Sequence, residues 1–159
     1  MEFRPNKIIV HHDGVSRAGP SFAIVNEYHR TRDFPKSSLG FYCGYHYWIE
    51  RDGFVCKARG EDEEGAHTKG QNFTSIGIGL AGNFDTELPT KAQVASLGAM
   101  LSAMCTKYGI SANKIFPHRK FAQKSCYGSR LADNWAALVY LRFEIERLKG
   151  WLEVMRAKV

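Results

Sequence analysis

Lys7-Ile8-Ile9-Val10-His11-His12 is the run from which the architecture can be read. Three β-branched residues in a row, closed by Asp13-Gly14, predict a buried strand that ends in a turn. Consecutive strand side chains leave on opposite faces, so at most one of His11 and His12 joins any one site. A second strand is predicted at Ser75-Ile76-Gly77-Ile78-Gly79-Leu80-Ala81-Gly82. Its alternating glycines leave one face open to the close approach of backbone, helix or ligand. Phe41–Ile49 and Phe54–Lys57 are predicted to form a hairpin about Asp52-Gly53. Phe22, Ile24, Val25 and Tyr28, after Gly19-Pro20, predict a helix over about Ser21–His29. Thr90-Lys91-Ala92-Gln93 after Pro89 is a capping-box signature. The helix it opens carries Val94, Leu97, Leu101, Met104 and Tyr108 inward and is closed by Gly109. Lys114–Pro117 reads as a short strand that delivers His118. Strands and helices in this order predict an α/β fold, a single domain with a central mixed sheet flanked by helices, plus a long C-terminal helix.

That last helix is marked by Trp135, Leu138, Leu141, Ile145, Leu148, Leu152 and Met155. From Leu138 onward the spacing alternates three and four, a heptad-like seam. Gly150 inside it costs about 1 kcal/mol. Residues 133–159 are read as a helical extension of a domain spanning 1–132, either packed on that domain or used for self-association.

At 159 residues the chain is long enough to bury a core as one domain, and 44% hydrophobic with 24% charged residues is ordinary globular composition. No apolar run reaches the ~18–20 residues of a membrane span. Met1-Glu2-Phe3-Arg4-Pro5-Asn6-Lys7 lacks the apolar stretch of a signal peptide, so cytoplasmic synthesis is expected. A net charge of +6 and a pI of about 9.2 favour acidic partners. The basic residues are scattered and not interleaved with aromatics, so no specific nucleic-acid partner is expected. Of the four cysteines, Cys43 and Cys56 flank the hairpin turn but are offset along its ladder by several residues, too far to bridge. No disulfide framework is expected, with Cys105 and Cys126 elsewhere. The acidic run Glu61-Asp62-Glu63-Glu64 reads as a solvated loop, with a lid or a cation site as the alternative.

Phe116-Pro117-His118-Arg119 leads through a polar loop to Lys124-Ser125-Cys126. An imidazole and a thiolate are donors that Zn²⁺ accepts, and the His-bearing strand at 8–12 is the obvious source of a third ligand. Three protein ligands with one open position is the arrangement of catalytic zinc. The same residues allow a cysteine hydrolase, with Cys126 as nucleophile and His118 as its base.

Four blocks in order carry a family resemblance. They are the strand ending in His, Gly44-Tyr45-His46 followed by Arg51-Asp52-Gly53, Ala66-His67-Thr68-Lys69-Gly70-Gln71-Asn72 leading into Ser75-Ile76-Gly77-Ile78, and His118-Arg119 through Lys124-Ser125-Cys126. From Lys7 to about Leu131 the chain resembles the zinc-dependent N-acetylmuramoyl-L-alanine amidases of type 2, which include phage lysozyme-type amidases and peptidoglycan recognition proteins. The resemblance implies one Zn²⁺ held by His11, His118 and Cys126. It implies Tyr45 beside the metal and Lys124 as catalytic residues, and His67 and Asn72 on the floor of a muropeptide groove. His12 is read as core or second shell. Pro117 and Lys120 around His118-Arg119, and Tyr127 after the cysteine, depart from the family's usual Gly-His-Arg-Asp and Cys-Pro-Gly.

The function implied is a peptidoglycan hydrolase, an endolysin cleaving the amide between N-acetylmuramic acid and L-alanine, with release to the wall through a holin. A recycling amidase for intracellular muropeptides is an alternative of the same fold. So is a non-catalytic peptidoglycan-binding or regulatory protein, phage RNA polymerase being one partner of that kind. Retention of Cys126 speaks for catalysis.

Overall fold

The computed structural model describes residues 3–157. Five strands form one mixed sheet in the order β3-β2-β4-β1-β5. β1 (Lys7–His12) lies between β4 (Ser75–Leu80) and β5 (Ile115–Pro117), parallel to both. β2 (Tyr47–Ile49) runs parallel to β4, and β3 (Val55–Lys57) closes the edge antiparallel to β2. Parallel central strands must be covered on both faces, and β1 and β4 are buried along almost their whole length.

Alternation along the strands sorts the two faces. Ile8, Val10, Ile76, Ile78 and Leu80 join Leu97, Leu101 and Met104 in the main core. The last three belong to α2 (Lys91–Tyr108), whose capping box between Thr90 and Gln93 and whose left-handed Gly109 terminus are both formed. The opposite face carries His11, Gly77, Gly79 and Trp48 and is covered by α1 (Phe22–Arg30). Ser21 does not cap α1 with its own side chain. The buried Glu50 carboxylate accepts from the amides of Ser21 and Phe22 and from the Ser21 hydroxyl. A carboxylate at a helix N-terminus satisfies orphan donors and complements the helix dipole.

The hairpin is shorter than its sequence predicts. Only Tyr47–Ile49 pairs, with Trp48 opposite Cys56, and residues 41–46 are irregular. The physical reason lies in α1. Asn26 Oδ1 accepts from the amides of Tyr42 and Cys43, and His29 Nδ1 accepts from that of Gly44. Those donors are therefore not available to a ladder. All four cysteines are free thiols.

α3 (Trp135–Arg156) packs its first half on α2. Ala136 and Val139 enter the main core, and Phe143 lies over Gly98. The heptad-like seam points the other way, and Leu138, Leu141, Ile145, Leu148, Leu152 and Met155 are all exposed. Among the described residues, no helix is long and apolar enough to cross a membrane. The acidic loop is tied down rather than free. Glu61 accepts from Tyr47, Lys107 and Tyr108, and Glu63 accepts from Ser38 and Gly60.

Candidate metal centre

Parallel pairing of Val10 with Pro117 places the next residues, His11 and His118, side by side at the C-terminal ends of β1 and β5. Their rings lie 4.4 Å apart. Crevices at the carboxyl ends of parallel strands are where open α/β sheets bind ligands. The loop after β5 returns Cys126 to the same point. Ligand atoms of His11, His118 and Cys126 all lie within 4.8 Å of one another. Cys126 Sγ is 3.7 Å from His11 Nδ1. Ligands bound at ~2.0 Å (N) and ~2.3 Å (S) around a tetrahedral ion stand roughly 3.5 Å apart, so this donor set fits a zinc-sized ion. All three residues line a cleft of about 830 Å³.

A buried hydrogen-bond chain orients His11. The Ser75 hydroxyl donates to the Gln71 carbonyl at 2.8 Å, so its oxygen is left to accept from His67 Nε2 at 3.4 Å. His67 then carries its proton on Nε2, and its Nδ1 accepts from His11 Nε2 at 3.0 Å. The lone pair of His11 is thereby placed on Nδ1, the nitrogen that faces Cys126. Thr68 Oγ1 lies against both rings. Imidazole ligands generally donate their second N–H in this way, which fixes tautomer and ring orientation. Glycines make room for the chain. A Cβ at Gly77 would stand 2.5 Å from the His67 ring, and one at Gly65 would meet the same ring at 2.5 Å. Gly79 clears Trp48 and Tyr45 in the same manner.

The electrostatics suit neutral imidazole ligands. Burial and the Lys124 ammonium lower His118 to about 4, and burial holds His11 well below the usual histidine range. Burial pushes the Cys126 thiol up to about 12. A nucleophilic cysteine needs the opposite shift. The imidazole it contacts is moreover that of His11, so the Cys126–His118 hydrolase reading finds no support here.

Arg119 braces the ligand loop. Its guanidinium donates to the carbonyls of Ser125, Gly128 and Leu131, and its amide donates to the Cys126 carbonyl. Asp133 pairs with its Nε at 2.6 Å.

The family model for N-acetylmuramoyl-L-alanine amidase matches residues 2–129 of the chain. The chain belongs to this family. Among relatives, peptidoglycan-recognition protein SC2 of Drosophila melanogaster is 29% identical over 137 residues, covering 81% of this chain and 74% of its own. The endolysin of Escherichia phage T7 is 36% identical over 97 residues, covering 58% of this chain and 63% of its own. Among solved structures, the N-acetylmuramoyl-L-alanine amidase LysC from Clostridium intestinale URNW superposes with a TM-score of 0.68. It is 32% identical to this chain, the match covering 79% of this chain and 78% of that one.

Around the candidate metal centre of this amidase-family chain, Tyr45, His67 and Lys124 line the same cleft. The Tyr45 ring sits 5.0 Å from that of His11 and stacks on Trp48. Burial raises its phenol well above the ordinary value, so it remains a donor at neutral pH. Lys124 is exposed on the loop before Cys126. Asn72 is not among the residues that line the cleft; its Oδ1 accepts from the amides of His67 and Thr68 and holds that turn. His12 lines the cleft from the opposite face of β1, with Nδ1 accepting from the Phe84 amide and its own amide donating to Cys126 Sγ.

The sequence did not single out Arg17, His29 or Arg32, which also line the cleft, nor Asp13 as more than a turn residue. The Asp13 carboxylate accepts from the amides of Val15 and Gly82 and lies 3.4 Å from Arg17. His29 stacks on Phe34 and is lowered to about 4, mainly by burial. These residues come from turns and from α1, where no local pattern distinguishes a cleft wall from ordinary surface.

Proposed function

We propose that the chain is a zinc-dependent peptidoglycan amidase of the endolysin kind, hydrolysing the amide between N-acetylmuramic acid and L-alanine. The observation that carries this reading is the convergence of His11, His118 and Cys126 in a cleft whose walls include Tyr45 and Lys124. Family membership and the endolysin and amidase relatives support it. Zinc, when bound, supplies Lewis acidity and a water activated at neutral pH.

The chain's own residues supply the rest. His67 holds the His11 ring in its ligating tautomer through the Nε2–Nδ1 bond. The Tyr45 hydroxyl, kept protonated by burial, donates a hydrogen bond to the oxyanion that develops on the amide carbonyl. Lys124, on the exposed lip of the cleft, adds positive charge to the same transition state. Either group then passes a proton to the departing L-alanine amine. His67 meets the substrate from the cleft floor, and Asn72 acts there by shaping the turn that presents His67. The excess positive charge favours adhesion to an anionic envelope. Synthesis in the cytoplasm followed by holin-dependent release brings the protein to its substrate.

The test is release of dye from labelled peptidoglycan, with and without EDTA and zinc add-back, followed by an assay for new L-alanine amino termini. Chelator-sensitive release with those termini is expected. Release without new L-alanine termini overturns the amide assignment, and chelator-insensitive release overturns the metal. Turnover of soluble muropeptides with intact sacculi untouched moves the protein to the recycling alternative. Retention on the wall without any cleavage moves it to the binding-only one.

A further inference from the structure

From Ile145 to Ala157 every residue of the chain is exposed, whichever way its side chain points. The second half of α3 therefore projects beyond the domain. The family match ends at residue 129, before α3 begins. A lone helical segment of about 12 residues is marginal in water, and it carries an apolar stripe besides. We propose that α3 is a dimerisation helix, on which two copies of this chain pair through the Leu138–Met155 seam as a parallel coiled coil.

Position on the helix comes first. At about 100° per residue, the seam lies opposite the Ala136, Val139 and Phe143 face that packs on the domain. Pairing through the seam therefore leaves each domain on the outside of its own helix. Leu138, Ile145 and Leu152 take the a positions, and Leu141, Leu148 and Met155 the d positions. Gly150 falls at f, away from the seam, where a missing side chain costs no interhelical contact.

Charge chooses the partner and the direction. The e positions are Arg142, Lys149 and Arg156; the g positions include Glu144 and Trp151. In a parallel pair each g residue faces the e residue five places on in the other copy. Glu144 then meets Lys149, and the Trp151 ring meets Arg156 in a cation–π contact. An antiparallel pair instead sets the cationic e row against itself. Within one copy Glu144 pairs with Arg147 and accepts from the Ser102 hydroxyl of α2, and Lys149 pairs with Glu146. The Lys149–Glu146 pair is exposed on both sides and worth little, so Lys149 can turn to the Glu144 of the other copy.

The surface available is also of the right size. The six seam residues and Trp151 are 42–58% exposed. At ~200 Å² for a fully exposed residue of this size, each copy offers on the order of 700 Å², near the ~800 Å² per partner of a standard interface.

The test is sedimentation velocity on the full chain from about 1 to 100 µM. A species of twice the 18.0 kDa chain mass is expected to dominate at the upper end. The double variant Ile145→Glu, Leu152→Glu is expected to remain at the single-chain mass with an unchanged near-ultraviolet circular dichroism spectrum. Met155→Cys is expected to give an oxidative cross-link between copies that the wild type does not. A single-chain mass at 100 µM, or a dimer that survives the double variant, overturns the proposal. So does a dimer whose Met155→Cys form does not cross-link, which removes the parallel arrangement. Binding of monomeric protein to anionic phospholipid vesicles through the same seam also overturns it, because the occupant is then lipid.

Discussion

Replacing Gly77 by alanine tests whether the candidate metal centre is held from beneath. Gly77 is paired with Ile9 on one side, and its amide and carbonyl are bonded to His46 on the other. Its backbone is therefore fixed. An added Cβ would lie 2.5 Å from Cδ2 and Cγ of His67 and 2.7 Å from Nε2. Carbon atoms in contact stand about 3.5–4.0 Å apart, so the ring must move by roughly 1 Å. The 3.0 Å bond to His11 Nε2 is then stretched to about 4 Å and lost. Two costs follow. Overpacking of this kind lowers stability by about 1–3 kcal/mol. Loss of an outer-shell partner lowers metal affinity by about 10–100-fold. Thermal unfolding reads the first, and competition against a chromophoric chelator reads the second. The decisive comparison is a cycle with His67→Ala. Once the ring is gone, Gly77→Ala is expected to cost less by at least about 1 kcal/mol. Additivity within about 0.5 kcal/mol, or wild-type zinc affinity in Gly77→Ala, refutes the reasoning.

Three further outcomes follow from the same contacts. Arg119→Met removes the brace on the 125–131 carbonyls, and zinc affinity is expected to fall by about 10-fold with the secondary structure unchanged by circular dichroism. For Glu61, burial acts to raise the carboxyl, but bonds from Lys107, Tyr47 and Tyr108 outweigh it and hold the group at about 2 against an ordinary 4.5. Its folded value is depressed, so its stabilisation is full above about pH 4.5 and is lost as pH falls through about 2. In urea unfolding at stepped pH, the stability gap between wild type and Glu61→Gln is therefore expected to close on acidification; a constant gap contradicts the assignment. Tyr45→Phe keeps the ring packed on Trp48 and removes only the donor, so hydrolysis is expected to drop about 100-fold or more with zinc affinity unchanged.

The main elements were legible because periodicity and caps are local. The β1 pattern, the Thr90–Gln93 box and the Gly109 terminus stand where the sequence places them. The glycine alternation at 75–82 was legible as a need for close approach, but not what approaches, since His67 and Trp48 arrive from separate loops and strands. Residues 42–44 were read as strand because nothing in the local sequence shows that Asn26 and His29 take their amides. Periodicity located the α3 seam but could not orient it. The helix has a second apolar face at Ala136, Val139 and Phe143, and packing chose that one. His11, His118 and Cys126 were assigned through resemblance. The partner that fixes the His11 tautomer was not, since a ring-to-ring bond across 56 positions leaves no sequence pattern.

The ligand set also predicts how metal binding should depend on pH. His118 sits at about 4 and His11 lower than usual, so both imidazoles are neutral above about pH 5 before any metal arrives. Cys126, pushed up to about 12 by burial, is still a thiol there. Loading zinc must then displace one proton, from sulfur alone, until water on the metal begins to ionise near pH ~7. Between about pH 5 and 6.5 the apparent zinc affinity is accordingly expected to rise about tenfold per pH unit. Calorimetry in two buffers of different ionisation enthalpy counts the protons directly. Release of none would mean that Cys126 is already a thiolate, with Lys124 and Arg119 outweighing its burial. Release of two or more would mean that a histidine ligand is charged before binding, contrary to the buried neutral pair that the fold provides.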